Sequence, residues 1–224
     1  MKSIFEFEIF SDSRGILRHA VLTRHTDPND SKSIQEILKI PEQPIFFKNQ
    51  LHGTKIVSFK KNSIIKTQLE GDIFITNQSN IPLGIRIADC ASILLFDPVQ
   101  KVIANIHAGW RGLAKRAVKY TIQRMANVFN SKPKNILAGI SPMLGVCCSV
   151  FSDPKNELPE FLHNYIAEEN HVNLWAIAEG QLRECGILQN HIENPRICTL
   201  CNPENFYSHR RGDKNRFCTI IMLR

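Results

Sequence analysis

The sequence predicts β-strands and α-helices folded together as one domain. Short runs rich in Ile, Val, Leu and Phe recur between polar turns, as at Leu83–Ile87, Ser92–Phe96, Val102–Ile106 and Phe217–Leu223; such runs read as strands. After Gly112, apolar residues at Ala114, Val118, Thr121 or Ile122, Met125 and Val128 follow helical spacing, with Lys115, Arg116, Lys119 and Arg124 on the other face. That pattern is an amphipathic helix packed on a sheet. A chain of 224 residues, 43% of them hydrophobic, can bury a full core.

The elements follow in order. Phe5, Phe7 and Ile9 alternate with Glu6 and Glu8 as in a half-buried strand. His19–Arg24 reads as the next strand. Asp27-Pro28-Asn29-Asp30 breaks the chain, and Ser31 can cap a helix that runs to about Ile40, where Pro41 and Pro44 end it. An extended piece from Ile45 to Phe47 leads to the polar stretch Asn49-Gln50-Leu51-His52-Gly53-Thr54. Lys60–Glu70 is polar and basic and reads as a loop or hairpin arm, and Gly71–Thr76 restarts the sheet. Asp97-Pro98 supplies a turn. Ile136–Ile140 is a strand, Pro154–Ala167 and Leu174–Cys185 read as helices, and the second of these is capped by Asn173 and stopped by Gly186.

Composition narrows the class. No apolar run is long enough to span a bilayer, and Glu6, Glu8 and Asp12 interrupt the N-terminal apolar residues, so neither a membrane segment nor a signal peptide is expected. The expected compartment is the cytoplasm. Seven cysteines is an odd count, which favours reduced thiols or metal ligands over a disulfide framework. Of these, Cys198 and Cys201 have zinc-knuckle spacing but no second pair follows them, and one of the adjacent Cys147 and Cys148 reads as a buried core thiol. The net charge of +7 suits anionic partners, yet the basic residues are spread along the chain without the aromatic interleaving of an RNA-binding surface.

Chemistry concentrates between Gly84 and Gly112, where Asp89-Cys90 interrupts two apolar runs and His107 ends a third. His52, Cys90 and His107 form a set of two imidazoles and a thiolate that leaves a fourth tetrahedral position open, the pattern of a catalytic zinc site. Zinc there would bring the pKa of a coordinated water towards neutrality. Asp89 could exchange a proton or orient a ligand. Copper also takes two histidines and a cysteine, although none of the eight histidines forms the His-X-His pairs of a multicopper oxidase. A metal-free Cys90–His107 nucleophilic dyad is a further reading. Arg111 stands at an expected helix start that favours an anion, Gly109 and Gly112 would let phosphate approach the backbone, and Arg210, Arg211 and Arg216 could add guanidinium contacts.

Five motifs, QLHGTKI, GIRIADCASILLFDP, IANIHAGWRG, ISPMLGVCC and CNPENFYSHRR, resemble the YfiH family over nearly the whole chain. That family has also been called multicopper polyphenol oxidase and peptidoglycan editing factor. The resemblance implies an α+β fold of packed mixed β-sheets flanked by helices, distantly similar to a bacterial toxin with a Cys-His dyad. It implies zinc on His52, Cys90 and His107, and purine nucleoside phosphorylase activity on adenosine, inosine, guanosine and methylthioadenosine with accompanying adenosine deamination. The expected partners are purine nucleosides and inorganic phosphate, with no membrane and no specific nucleic acid, in a monomer or homodimer. Two alternatives stay open: a hydrolase that edits peptidoglycan precursors, and a basic nucleic-acid-binding protein. Where the family commonly carries Tyr-Glu after the paired cysteines, this chain has Ser149-Val150, and where Asp-Gly is usual in the tail it has Gly212-Asp213.

Overall fold

Two mixed β-sheets lie face to face in the computed structural model, which describes residues 4–60 and 68–224. Most of the basic arm expected at Lys60–Glu70 therefore lies outside the described residues. The strands are β1 (Ile4–Phe5), β2 (Leu17–Leu22), β3 (Ile45–Phe46), β4 (Ile56–Phe59), β5 (Ile73–Thr76), β6 (Leu83–Ile87), β7 (Ala91–Asp97), β8 (Val102–Ala108), β9 (Leu137–Ile140), β10 (Ile192–Glu193) and β11 (Phe217–Leu223). The helices are α1 (Ser31–Leu38), α2 (Trp110–Ala114), α3 (Ala117–Phe129), α4 (Pro154–Glu157) and α5 (Leu174–Glu184). One sheet has the order β1-β2-β11-β6-β3 and the other β10-β9-β7-β8-β5-β4.

The period of two along each strand divides the core into layers. In β7, Leu94 and Phe96 point between the sheets, where they meet Leu83, Ile85, Phe217 and Ile221, while Ile93 and Leu95 point outward onto a helical layer containing Val118, Met125, Ile177 and Leu182. Both faces of β7, β8 and β11 are covered, so every residue of these strands is buried. That is why their sequences are almost continuously apolar. On the outer face of the five-stranded sheet, Ile34 and Leu38 of α1 cover Ala20, Leu22 and Ile220. Ser92, Asn105 and Thr219 tie the sheets together: the Ser92 hydroxyl is 2.6 Å from both Asn105 Oδ1 and Thr219 Oγ1, and Asn105 Nδ2 donates to the Leu83 carbonyl at 3.0 Å. Buried polar groups of this kind are stable only when their partners are present.

Several expected elements are altered by specific contacts. The first strand stops at Phe5 because the Phe7 N–H donates to His19 Nε2 instead of a neighbouring strand, and a 3₁₀ turn covers Glu8–Ser13. Asp30, not Ser31, caps α1, accepting the Ser33 N–H at 3.1 Å. The long helix after Gly112 is two helices, because Arg116 adopts left-handed φ 58° between them, and Phe129 rather than Val128 is its last buried residue. Pro159 has no N–H to continue a helix, so the segment expected from Pro154 to Ala167 is α4 followed by a 3₁₀ turn over Glu160–Tyr165. Strand β4 was not foreseen, since Lys55, Ser58 and Lys60 dilute its apolar signal. Among the described residues, no helix is long and apolar enough to cross a membrane.

Candidate metal centre and active-site cleft

The same alternation that fills the space between the sheets delivers three functional side chains to its end. Cys90 precedes Ser92 by two residues, His107 follows Asn105 by two, and Asp72 precedes Phe74 by two. Ser92, Asn105 and Phe74 all face the inter-sheet layer, so Cys90, His107 and Asp72 continue along that face. Registration completes the alignment, because Ser92 pairs with His107 and Ile73 with Ile106. The fourth participant comes from a separate loop: His52 takes left-handed φ 54°, and its N–H donates to Asp72 Oδ1 at 2.8 Å. The Gly53 N–H donates to Asp72 Oδ2 at 2.9 Å.

One ligand atom each from His52, Cys90 and His107 lies within 4.8 Å of the others. The two imidazoles are edge to face, with centroids 4.7 Å apart. His107 is buried, its Nδ1 is 2.9 Å from Asp72 Oδ1, and its backbone N–H donates to the Asp72 carbonyl. A carboxylate on one imidazole nitrogen fixes the tautomer and turns the other nitrogen towards a metal. Asp72 is the residue that sequence reasoning missed. Its only signal was an acidic residue at the start of an apolar strand, which by itself is common.

These groups shift one another's proton affinity. Burial disfavours ionisation of Cys90, but the hydrogen bonds from His107 and His52 outweigh it and bring the thiol down to about 6. Burial likewise opposes charge on His107, yet Asp72 and Cys90 raise the imidazole to about 9. Each partner thus favours the charged form of the other, thiolate beside imidazolium. A divalent cation would take the thiolate and displace the imidazolium proton. Two imidazoles and a thiolate converging in this way are chemically able to hold one metal ion.

The centre opens into a cleft of about 410 Å³ whose walls include Lys48, Gln50, Arg86, His209 and Arg216. Of the four arginines proposed from sequence, only Arg216 lines it. Arg111 is exposed on the five-residue helix α2, with its guanidinium 4.2 Å over the Trp110 ring. Arg210 Nη1 donates to the Val150 carbonyl. Arg211 donates to the carbonyls of Thr199, Leu200 and Phe206 and pairs with Asp213 at 2.5 Å, so it holds the tail loop together. Lys48 and Arg86 supply cationic walls, and His209 an imidazole, that isolated sequence positions did not reveal.

Asp89 turns away from its neighbour. With φ 78° it ends the strand alternation, and its carboxylate accepts from Thr199 Oγ1 at 2.6 Å, Ser208 Oγ at 3.0 Å and the Arg210 N–H at 2.7 Å. Gly109 leaves room for the sulfur: a Cβ there would lie 2.6 Å from Cys90 Sγ. No second cysteine pair follows Cys198 and Cys201 in the sequence, but Cys147 and Cys148, which precede them, lie beside them in the fold.

Residues 25–224 match the family described as multi-copper polyphenol oxidoreductase laccase. A purine nucleoside phosphorylase of Clostridium acetobutylicum is 32% identical over 173 residues, covering 74% of this chain and 70% of its own length. Another, of Haemophilus influenzae, is 30% identical over 194 residues, covering 81% of this chain and 75% of its own. The crystal structure of Bacillus licheniformis hypothetical protein YfiH has the same fold, with a TM-score of 0.86 at 21% identity over 100% of this chain and 97% of that one.

Proposed function

The chain belongs to the family described as multi-copper polyphenol oxidoreductase laccase, and from that membership we propose that it cleaves purine nucleosides with inorganic phosphate. Relatives named purine nucleoside phosphorylase support the reaction class. The observation that carries the reading here is one cleft holding His52, Cys90 and His107 together with Lys48, Arg86 and Arg216. Phosphorolysis needs a site for an anionic nucleophile beside a site that activates the nucleoside, and this cleft offers both kinds of group.

His52, Cys90 and His107 would hold zinc, for which the donor set is suited. Copper shares these donors, but a multicopper centre needs histidine pairs that the eight histidines do not form. When bound, zinc supplies Lewis acidity and lowers the pKa of water.

The chain's own residues take the remaining roles. Lys48, Arg86 and Arg216 bind phosphate, whose oxygen attacks C1′ of the ribose as the bond to the purine breaks. Gln50 clamps the Arg86 backbone on both sides, donating to its carbonyl at 2.8 Å and accepting its N–H at 3.0 Å. His209 gives a proton to the departing base. Asp89 acts as a positioning residue in this reading, because it binds Ser208 and Arg210 on either side of His209. Adenosine, inosine, guanosine and methylthioadenosine are the substrates we assign, with adenosine deamination as a companion activity in which water adds at C6 and the amino group leaves as ammonia.

Zinc-loaded protein incubated with adenosine tests the reading. Adenine and ribose 1-phosphate should form only when phosphate is present, and inosine should form with or without it. Failure to make adenine in the presence of phosphate would overturn the phosphorylase assignment.

A further inference from the structure

Cys147, Cys148, Cys198 and Cys201 bring four sulfurs together outside the cleft, each within 4.8 Å of the others. Cys148 and Cys201 are 3.4 Å apart, and Cys147 and Cys201 are 3.6 Å apart. Two loops remote in sequence make this cluster, one following β9 and the other preceding β11. They are joined by a parallel bridge between Met143 and Cys198, in which the Met143 N–H donates to the Ile197 carbonyl and the Thr199 N–H to the Met143 carbonyl, both at 3.1 Å. Gly145 permits the approach, since a Cβ there would lie 3.0 Å from Cys198 Cβ and 2.5 Å from the Trp175 ring.

We propose that these four cysteines form a structural zinc site, separate from the His52–Cys90–His107 centre. The sulfur separations carry the inference. Zinc bound tetrahedrally by thiolates has Zn–S near ~2.3 Å, which sets the sulfurs about 3.8 Å apart. The separations of 3.4 and 3.6 Å lie close to that edge and far from the ~2.05 Å of a disulfide. So tight a set encloses one ion and not a cluster of several irons. Cys147 and Cys201 are exposed, so an ion has access to them from solvent. Binding would displace the thiol protons and couple the two loops.

The site would also reach the cleft. Thr199 lies inside the Cys198–Cys201 turn, and its hydroxyl donates to Asp89 Oδ1 at 2.6 Å. Asp89 immediately precedes Cys90. The ion would thereby hold the loop against which the cleft's thiolate strand is set.

Metal content of the full chain, purified reduced with zinc and freed of loose metal, tests the proposal. Two zinc ions per chain are expected, one in Cys90→Ala, one in Cys201→Ser and none in the double variant. Cys90→Ala keeps all four clustered thiols, so it remains informative even where Cys201→Ser does not fold. Loaded with cobalt, Cys90→Ala should show the strong thiolate-to-metal absorption of a four-sulfur tetrahedral site. Its absence overturns the proposal, as does a single zinc in the unaltered chain that is lost in Cys90→Ala, iron in place of zinc, or a Cys147–Cys201 or Cys148–Cys201 disulfide under reducing conditions. None of these readouts depends on phosphorolysis.

Discussion

The sulfur of Cys90 occupies space that a side chain on residue 109 would need: a Cβ on Gly109 would lie 2.6 Å from it. Gly109 has φ −70°, which any residue adopts, so close approach and not backbone conformation requires glycine here. Gly109→Ala should push the thiolate away from His52 and His107 and weaken metal binding by about tenfold or more, with the fold retained. Competition against a chelator measures this. Unchanged affinity would mean that Cys90 does not hold the metal.

Asp72 is fully buried and serves His107 Nδ1 and the N–H groups of His52 and Gly53. Burial alone would raise its carboxyl, but these donors hold it below the ordinary carboxylate range. Asp72→Asn keeps the shape and loses the charge, and should cost about 10- to 100-fold in metal affinity. Asp72→Ala should additionally lower stability by about 1–3 kcal/mol for each N–H left unpaired, as read by denaturant unfolding.

The arginines divide by what they touch. Arg216→Gln and Arg86→Gln, both in the cleft wall, should raise KM for phosphate about tenfold, equivalent to ~1.4 kcal/mol. Arg211→Gln removes contacts to three loop carbonyls and should lower thermal stability by about 1–3 kcal/mol. Arg111→Gln, an exposed site, should change stability by less than about 0.5 kcal/mol and leave KM unaltered. A phosphate KM indifferent to both Arg86 and Arg216 would remove the anion site from this cleft.

His19 makes the fold sensitive to acid. It lies between Phe7 and Phe10 and accepts the Phe7 N–H on Nε2, and burial lowers its pKa from 6.5 to about 4. Between pH 6.5 and 4 the unfolded chain takes up a proton there that the folded chain refuses. Stability is thus full above pH 6.5 and falls progressively down to about pH 4, by about 3 kcal/mol from this group. His19→Gln, which can still accept the Phe7 N–H but does not titrate, should flatten that slope. Equal slopes for both proteins in denaturant unfolding at pH 7, 6 and 5 would contradict it.

Much of the fold was legible because local pattern and tertiary demand agree. Strands β6 and β11 appear with their expected bounds, since both are apolar between clear turn residues, and α5 begins at its Asn173 cap. The expected helix from Pro154 failed at Pro159, and the first strand ended where His19 captured a backbone donor. His52, Cys90 and His107 were legible as residue types suited to a metal. The direction of Asp89 was not, because a left-handed φ at a non-glycine residue leaves no mark in the sequence.

By itself, the sequence determined the alternation that sends Cys90 and His107 to one face, the helical stripes that cover the sheets, and the donor types available for metal. These depend on spacing within short segments. Only the tertiary structure decided that Asp72 stands behind His107, that Arg216 and not Arg111 lines the cleft, and that Cys147 and Cys148 meet Cys198 and Cys201. Each of those is a contact between segments tens of residues apart. Strand registration and backbone turns set such contacts, and no periodicity along the chain records them.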